Sequence, residues 1–338
     1  MSLLEYAKAG SLKKFKNNLD KISEKENTNN FILFNKFLKS FIITGCGYSD
    51  FLNFELYNKK SKELKEYVTI KHQDKFYEIV SPSKYKTFFT IKPNFLKNFK
   101  DYIERDFWAD GTYEELVEFL KNNKEFMVKP YDGLGGSGVH KQITKEIENF
   151  DDYYNYLKNE HLFVEEYVKQ NKKINELCEA SVNTIRIMTF SYNGKSRIIY
   201  AAMRIGNGVN HVDNFHQGGM GCSIDLKTGK LYGEAIDKDL NHFAFHPTSK
   251  VKFDGFQIPN WDKACELVLN ASKVNKNIHV VGWDVAITDK GATLIEGNRR
   301  PGFDLVQVLS KRGRKDIMRE CLDEINKCEG TNYKIWKF

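Results

Sequence analysis

The sequence predicts an α+β protein with a mainly helical N-terminal unit, and three observations predict it. Residues 1 to about 70 are rich in Lys, Asn, Leu and Phe, with apolar residues at helical spacing and few β-rich runs. From about 71 to 330 the chain instead alternates β-branched runs with helical stretches. The last β-rich runs are separated only by short polar turns, which implies antiparallel hairpins rather than crossovers. A chain of 338 residues is long enough for two or three structural units and a well-buried core.

In order along the chain, SLKKFKNNLDKI and NFILFNKFLKSFI read as helices of the first unit. Their basic amphipathic spacing suits a membrane surface, but the solvated outer face of ordinary helices is the simpler reading. In the second unit YEELVEFLKNN, FDDYYNYLKN and WDKACELVLNASKV read as helices. The strands are FMVKP, VHKQI, LFVEEYV, TIRIMTF, SRIIYAAMRI and a closing pair, VVGWDVAIT and ATLIEGN. No internal repeat or low-complexity linker interrupts them.

Bulk properties exclude more than they assign. The net charge of +7 arises from 52 Lys and Arg against 45 interleaved Asp and Glu, which gives no nucleic-acid-binding patch and only a weak pull on anionic ligands. No signal peptide and no apolar run long enough to span a bilayer are found, so the expected location is cytoplasmic. Cys46, Cys178, Cys222, Cys265, Cys321 and Cys328 form no CxxC pair, and are expected as reduced thiols without zinc.

Two stretches carry chemistry. In HVVGWDVAITDKGATLIEGNRRPGF the turn at Asp289-Lys290-Gly291 joins two strands. Alternation puts Glu296 and Asn298 on one face, and hairpin pairing brings Asp284 beside them. Two carboxylates so placed repel unless a positive charge compensates them. In EFMVKPYDGLGGSGVHKQI, Gly133, Gly135 and Gly138 satisfy GxGxxG, but a strand rather than a helix follows, so the dinucleotide-binding reading fails. A hairpin with a glycine-rich tip can instead fold over a polyphosphate, with Lys129 on the entering strand as a point charge. Without such a ligand the stretch is a glycine-rich surface turn. Arg186 and Arg204 fall within β-rich runs and need an anionic partner, either a ligand phosphate or carboxylate or an internal Asp or Glu.

The set of a VKP lysine, a glycine-rich flap, an EEYV stretch and a terminal Asp…Glu-x-Asn group resembles the ATP-grasp superfamily. SVNTIRIMTF, AAMRIGNGVNHVDNFHQGGMG, HPTSKVKFDGFQIPNW and VGWDVAITDKGATLIEGNRRPG make the resemblance closer to its sugar-transfer-associated members. It covers the chain from about 75 to 310, and GYSDFLNFELYNKKSKELKEYVT is similar to the segment before it.

The resemblance implies the ATP-grasp fold, with ATP held between two α+β subdomains, about 71–160 and 161–330. Lys129 and an earlier lysine, for which the nearest counterpart is Lys84, would bind phosphates under a flap of Gly135, Gly136, Ser137 and Gly138. Glu165, Glu166, Tyr167 and Val168 would form the adenine hinge, and Asn183 would reach the ribose. Asp284, Glu296 and Asn298 would hold Mg²⁺, which favours hard oxygen ligands shared with phosphate. Arg299 or Arg300 would lie near the transferring phosphoryl group, with Arg186 and Arg204 toward the acceptor. Asp213, Asn214, His216, Gly218 and Gly219 would form a second polar loop touching ATP or acceptor.

The implied activity is ATP-dependent activation of a carboxylate as an acyl phosphate for attack by an amine. Its implied setting is surface-polysaccharide or glycoconjugate synthesis, with a small-molecule or glycan acceptor and peripheral contact with a polysaccharide assembly complex. A sugar or polyol kinase and a non-catalytic nucleotide- or glycan-binding protein are the alternatives.

Overall fold

The computed structural model describes residues 9–132, 138–208, 213 and 215–334. They form two compact units, one from residues up to Phe76 together with those from Gly302 onward, the other Tyr77–Pro301.

The first unit contains helices α1 (Ala9–Lys25) and α2 (Asn30–Thr44), and begins helix α3 (Ile70–Val80). Asn29 caps α2 by accepting from the Ile32 N–H, and Gly45 ends it in the left-handed conformation. Phe15 of α1 packs on Phe37 of α2 with ring centroids 5.0 Å apart. The described residues from Gly302 onward cluster here through two further helices, Asp304–Ser310 and Lys315–Glu329. The buried Gln307 side chain accepts from the Val68 N–H and donates to its carbonyl, at 2.6 and 2.9 Å, replacing both ladder bonds a strand would supply.

The second unit is built on two antiparallel sheets. Strands β1 (Phe107–Trp108), β2 (Glu125–Pro130), β3 (His140–Ile143) and β4 (Leu162–Glu166) form the smaller, in the order β1-β4-β2-β3. Strands β5 (Thr184–Tyr192), β6 (Lys195–Ile205), β7 (Met220–Ile224), β8 (Leu231–Asp237), β9 (His242–Phe243), β10 (Val280–Ile287) and β11 (Ala292–Asn298) form the larger, ordered β11-β10-β5-β6-β7-β8-β9. All the strands expected from the sequence form. The short β1 and β7 to β9 are additional, β7 being masked in the sequence by the glycines of GGMGC.

Alternation in the small sheet separates structure from function. Phe126, Val128, Leu162 and Val164 point to a core shared with Leu116, Phe119 and Leu157 of the flanking helices. Lys129 therefore points to the opposite face; it pairs with Phe163, and Met127 with Glu165. In the large sheet Ile185, Ile187, Met203, Trp283, Val285 and Leu294 fill the main core, and the intervening residues form a polar row on the other face.

Candidate active site

The polar row is set by register. Asp284 on β10 lies opposite Glu296 on β11 and opposite Arg186 on β5, while Asn298 lies opposite Gly282. A register shift between Asp284 and Val285 falls at this point, as bulges do where a side chain is re-aimed. The glycine between Glu296 and Asn298 has a steric cause: a Cβ on Gly297 would stand 2.7 Å from the Phe89 ring.

Asp284 is 4% exposed and fully engaged. Arg186 donates to both its oxygens, at 2.6 and 3.1 Å, and Arg204 lies 3.3 Å away. Burial acts to raise its pKa, but the two guanidinium groups outweigh that and hold it below the ordinary carboxylate value. Glu296 is different. It accepts no hydrogen bond and closes no ion pair among the described residues, and burial followed by the Asp284 charge pushes its pKa up.

A cavity of about 50 Å³ opens beside Glu296, lined by Lys92, Arg105, Lys129, Glu165 and aromatic side chains. Its volume matches one or two waters. Lys129 forms an ion pair with Glu165. Arg105 also binds Glu165, at 2.9 Å, and its guanidinium donates to the carbonyls of Leu294 at 2.6 Å and Ile295 at 3.3 Å. One arginine thus connects β4 to β11 just before Glu296. Burial works to raise the Glu165 pKa, yet Arg105 and Lys129 bring it down to about 2. Lys92 sits between these groups; burial lowers its pKa while Glu296 opposes the shift. A larger cavity of about 930 Å³, beside β1, is lined by Lys97, Trp108 and Tyr154 and contains none of the residues singled out from the sequence.

The residues expected from the sequence separate accordingly. Asp284, Glu296, Asn298, Arg186 and Arg204 share the polar row, and Lys129 and Glu165 face the cavity. Arg186 and Arg204 are satisfied internally, Arg204 reaching Asp213 at 3.4 Å as well. Asp213 also accepts from the Thr184 N–H and hydroxyl, at 2.9 and 2.5 Å. Glu166 lies 3.6 Å from Lys169, and the Tyr167 ring lies under the Lys141 ammonium at 5.4 Å, with Val168 following. Gly138 has a φ of 74° and Gly218 of 101°, both glycine conformations, and Gly219 is buried. His216 falls in the single turn Phe215–Gln217. Gly135, Gly136, Ser137, Asn214 and the His216 side chain lie outside the described structure.

Three sets of the expected residues lie away from the cavity. Lys84 is exposed, with its ammonium over the Tyr85 ring at 4.9 Å, and is absent from the cavity lining; Lys92 is the earlier lysine that reaches it. Asn183 is fully buried; its side chain donates to the Cys178 carbonyl at 2.6 Å and accepts from the Gly206 N–H at 3.1 Å. Arg299 donates to the Ser81 carbonyl at 2.8 Å and Arg300 lies over the Tyr77 ring at 5.5 Å, so neither lines the cavity. Lys92 and Arg105 were missed. Lys92-Pro93 repeats the Lys129-Pro130 dipeptide, a signal that was available; Arg105 has none, because its partners come from distant segments.

Two antiparallel sheets, with Lys129 on one and Asp284 and Glu296 on the other, agree with the arrangement that the ATP-grasp resemblance implies. The profile of the sugar-transfer associated ATP-grasp family matches residues 57–321, and the chain belongs to that family. None of the curated proteins matches it. Among solved structures it is similar to the ATP-grasp ligase PsnB complexed with a minimal precursor, at 15% identity and a TM-score of 0.42, over 73% of this chain and 64% of that one. It is also similar to the D-alanine–D-alanine ligase of Helicobacter pylori, at 12% identity and a TM-score of 0.39, over 72% and 62%. The chain therefore spans somewhat less than two thirds of the length of these structures.

Proposed function

We propose that the protein is an ATP- and Mg²⁺-dependent carboxylate–amine ligase acting in sugar-transfer or polysaccharide chemistry. Family membership supports the class, and its description supports the sugar-transfer setting. The observation that carries the reading is the asymmetry around the cavity: Lys92 and Lys129 converge on it beside a half-buried Glu296 that closes no hydrogen bond or ion pair among the described residues.

The donor set fits magnesium. Among the described residues no three His, Cys, Asp or Glu side chains converge on a metal. Glu296 and Asn298 share the polar row with Asp284, whose own oxygens Arg186 and Arg204 hold, so the hard-oxygen set is incomplete and leaves room for phosphate and water, as magnesium sites usually do. Glu296 and Asn298, with Asp284 behind them, would hold the ion, which when bound supplies charge neutralisation for the phosphates. Lys92 and Lys129 would bind the phosphate oxygens, Lys129 exchanging part of its contact with Glu165 for them. Arg105 fixes β11 against β4, so that Glu296 and Lys129 keep their spacing during turnover.

In the proposed reaction a substrate carboxylate oxygen attacks the γ-phosphorus and the bond to the ADP oxygen breaks, giving an acyl phosphate and ADP. An amine then attacks the acyl carbon and loses a proton, phosphate leaves, and an amide remains. The chain supplies alignment and cationic groups, and no covalent enzyme intermediate is required. The test is ADP release with ATP, Mg²⁺ and a panel of carboxylate and amine acceptors, with hydroxylamine as trap. Carboxylate-dependent ADP release with hydroxamate formation, lowered 10²-fold or more by Glu296→Gln, is expected. A stable phosphoester instead of hydroxamate would overturn the ligase reading in favour of a kinase, and nucleotide binding without acceptor-dependent ADP release would overturn both.

A further inference from the structure

Helix α2 in the first unit is apolar on two sides. Leu33, Ser40 and Thr44 face inward and are buried. On the opposite side Phe31 is 76% and Ile42 70% exposed, with Ile32 and Phe34 also exposed and Leu38 half-buried between them. At 100° per residue Phe31, Leu38 and Ile42 form one stripe with the exposed Asn35 beside it, flanked by Phe34 on one edge and by Lys39 and Ile32 on the other, with Lys36 farther round on that side. A helix that is apolar all round is ordinarily buried all round. Nothing among the described residues covers this side.

Charge decides the occupant. The 15 residues of α2 include two lysines and no acid, and Lys36 and Lys39 are exposed and close no ion pair among the described residues. Lys71, over the Phe41 ring at 5.8 Å, extends the surface to Ile70, itself 55% exposed. Large apolar side chains bordered by cations on one flat helix face match an anionic interface whose interior is apolar. The helix is too short to span it: crossing needs roughly 20 apolar residues, and no described helix is long and apolar enough to cross a membrane.

We propose that the outer face of α2 docks in the plane of an anionic lipid bilayer, with Phe31, Phe34 and Ile42 among the acyl chains and Lys36 and Lys39 at the head groups. The docking is independent of the catalytic reading, since it uses only residues of the first unit.

Co-sedimentation of the full chain with vesicles of phosphatidylcholine, with and without an equal part of phosphatidylglycerol, tests it. Binding to the anionic vesicles and little to the neutral ones is expected. Lys36→Gln with Lys39→Gln lowers the partition coefficient by about 25-fold, at about fivefold per lysine. Phe31→Ser with Ile42→Ser lowers it by roughly another order of magnitude. All four side chains are exposed, so both variants should keep the wild-type circular dichroism melt. Failure to bind anionic vesicles, equal binding to neutral ones, or unchanged binding by either variant would overturn the proposal. So would a concentration-dependent dimer that Phe31→Ser with Ile42→Ser abolishes, because the face would then join two copies of the chain.

Discussion

The small sheet and the hairpin edge of the large sheet each turn a buried or half-buried glutamate toward the same cavity, and the two glutamates are treated oppositely. Glu165 is gripped by Arg105 and Lys129, which bring its pKa down to about 2. Glu296 receives no direct partner among the described residues, and burial with the neighbouring Asp284 raises its pKa. A carboxylate that is fully compensated within the fold contributes to the framework. One left uncompensated is costly to keep, and that cost has a use only if a cation arrives from outside.

The largest effect that separates them is on stability. Arg105→Ala leaves Glu165 short of its closest guanidinium and frees two carbonyls, and loss of one partner of a buried pair costs roughly 3–5 kcal/mol. Urea unfolding should show that loss for Arg105→Ala and for Glu165→Ala. Glu296→Gln should instead leave the midpoint unchanged or raise it, because it removes a carboxylate that the fold disfavours. Equal destabilisation by Glu165→Ala and Glu296→Gln would erase the distinction.

Acid sharpens the comparison. The folded pKa of Glu165 lies below the ordinary value of 4.5, so its contribution is present above pH 4.5 and is lost as pH falls toward about 2. A shift of that size is on the order of 3 kcal/mol. Glu296 has the opposite sign: its raised folded pKa favours the protonated form, so its contribution is present below pH 4.5 and is lost as pH rises through the raised value. The stability difference between Glu296→Gln and wild type should therefore increase in favour of the variant from pH 4 to pH 7 in the absence of divalent cation. A difference that stays flat or narrows would mean that Glu296 has a partner after all.

Features that depend on local pattern were legible in the sequence. Strand alternation and a short turn were enough to place Asp284 across from Glu296, because hairpin register follows from adjacent residues. Strand period also put Lys129 on the strand that enters the glycine-rich turn, whereas its pairing with Glu165 came only with the fold. The arginine partners were left open, since whether Arg186 meets a ligand or Asp284 depends on β5 pairing with β10 across some hundred residues. Arg105 was invisible for the same reason. The buried loop around Asn183 was equally illegible, since its amide bonds to Gln170, Cys178 and Gly206 on segments that only the fold brings together.

The two lysines give the smallest and most discriminating contrast. Lys84 and Lys92 lie eight positions apart, and only Lys92 precedes a proline as Lys129 does. The Lys92 backbone N–H donates to the Tyr131 carbonyl at 3.0 Å, which draws the two Lys-Pro segments together. Burial lowers the Lys92 pKa, and a nearby phosphate would oppose that shift through a charge-assisted contact. Lys92→Ala should raise the ATP concentration needed for half-maximal ADP release by about tenfold or more, the loss of one charge-assisted contact of roughly 1.5–3 kcal/mol. Lys84→Ala removes only an exposed stacking contact over Tyr85, and should change that concentration less than about twofold and stability by no more than about 0.5 kcal/mol. If Lys84→Ala instead proved the more damaging for ATP, the phosphate site would lie away from the cavity that Lys92, Lys129 and Glu296 share, and Glu296 would lose its claim to the metal.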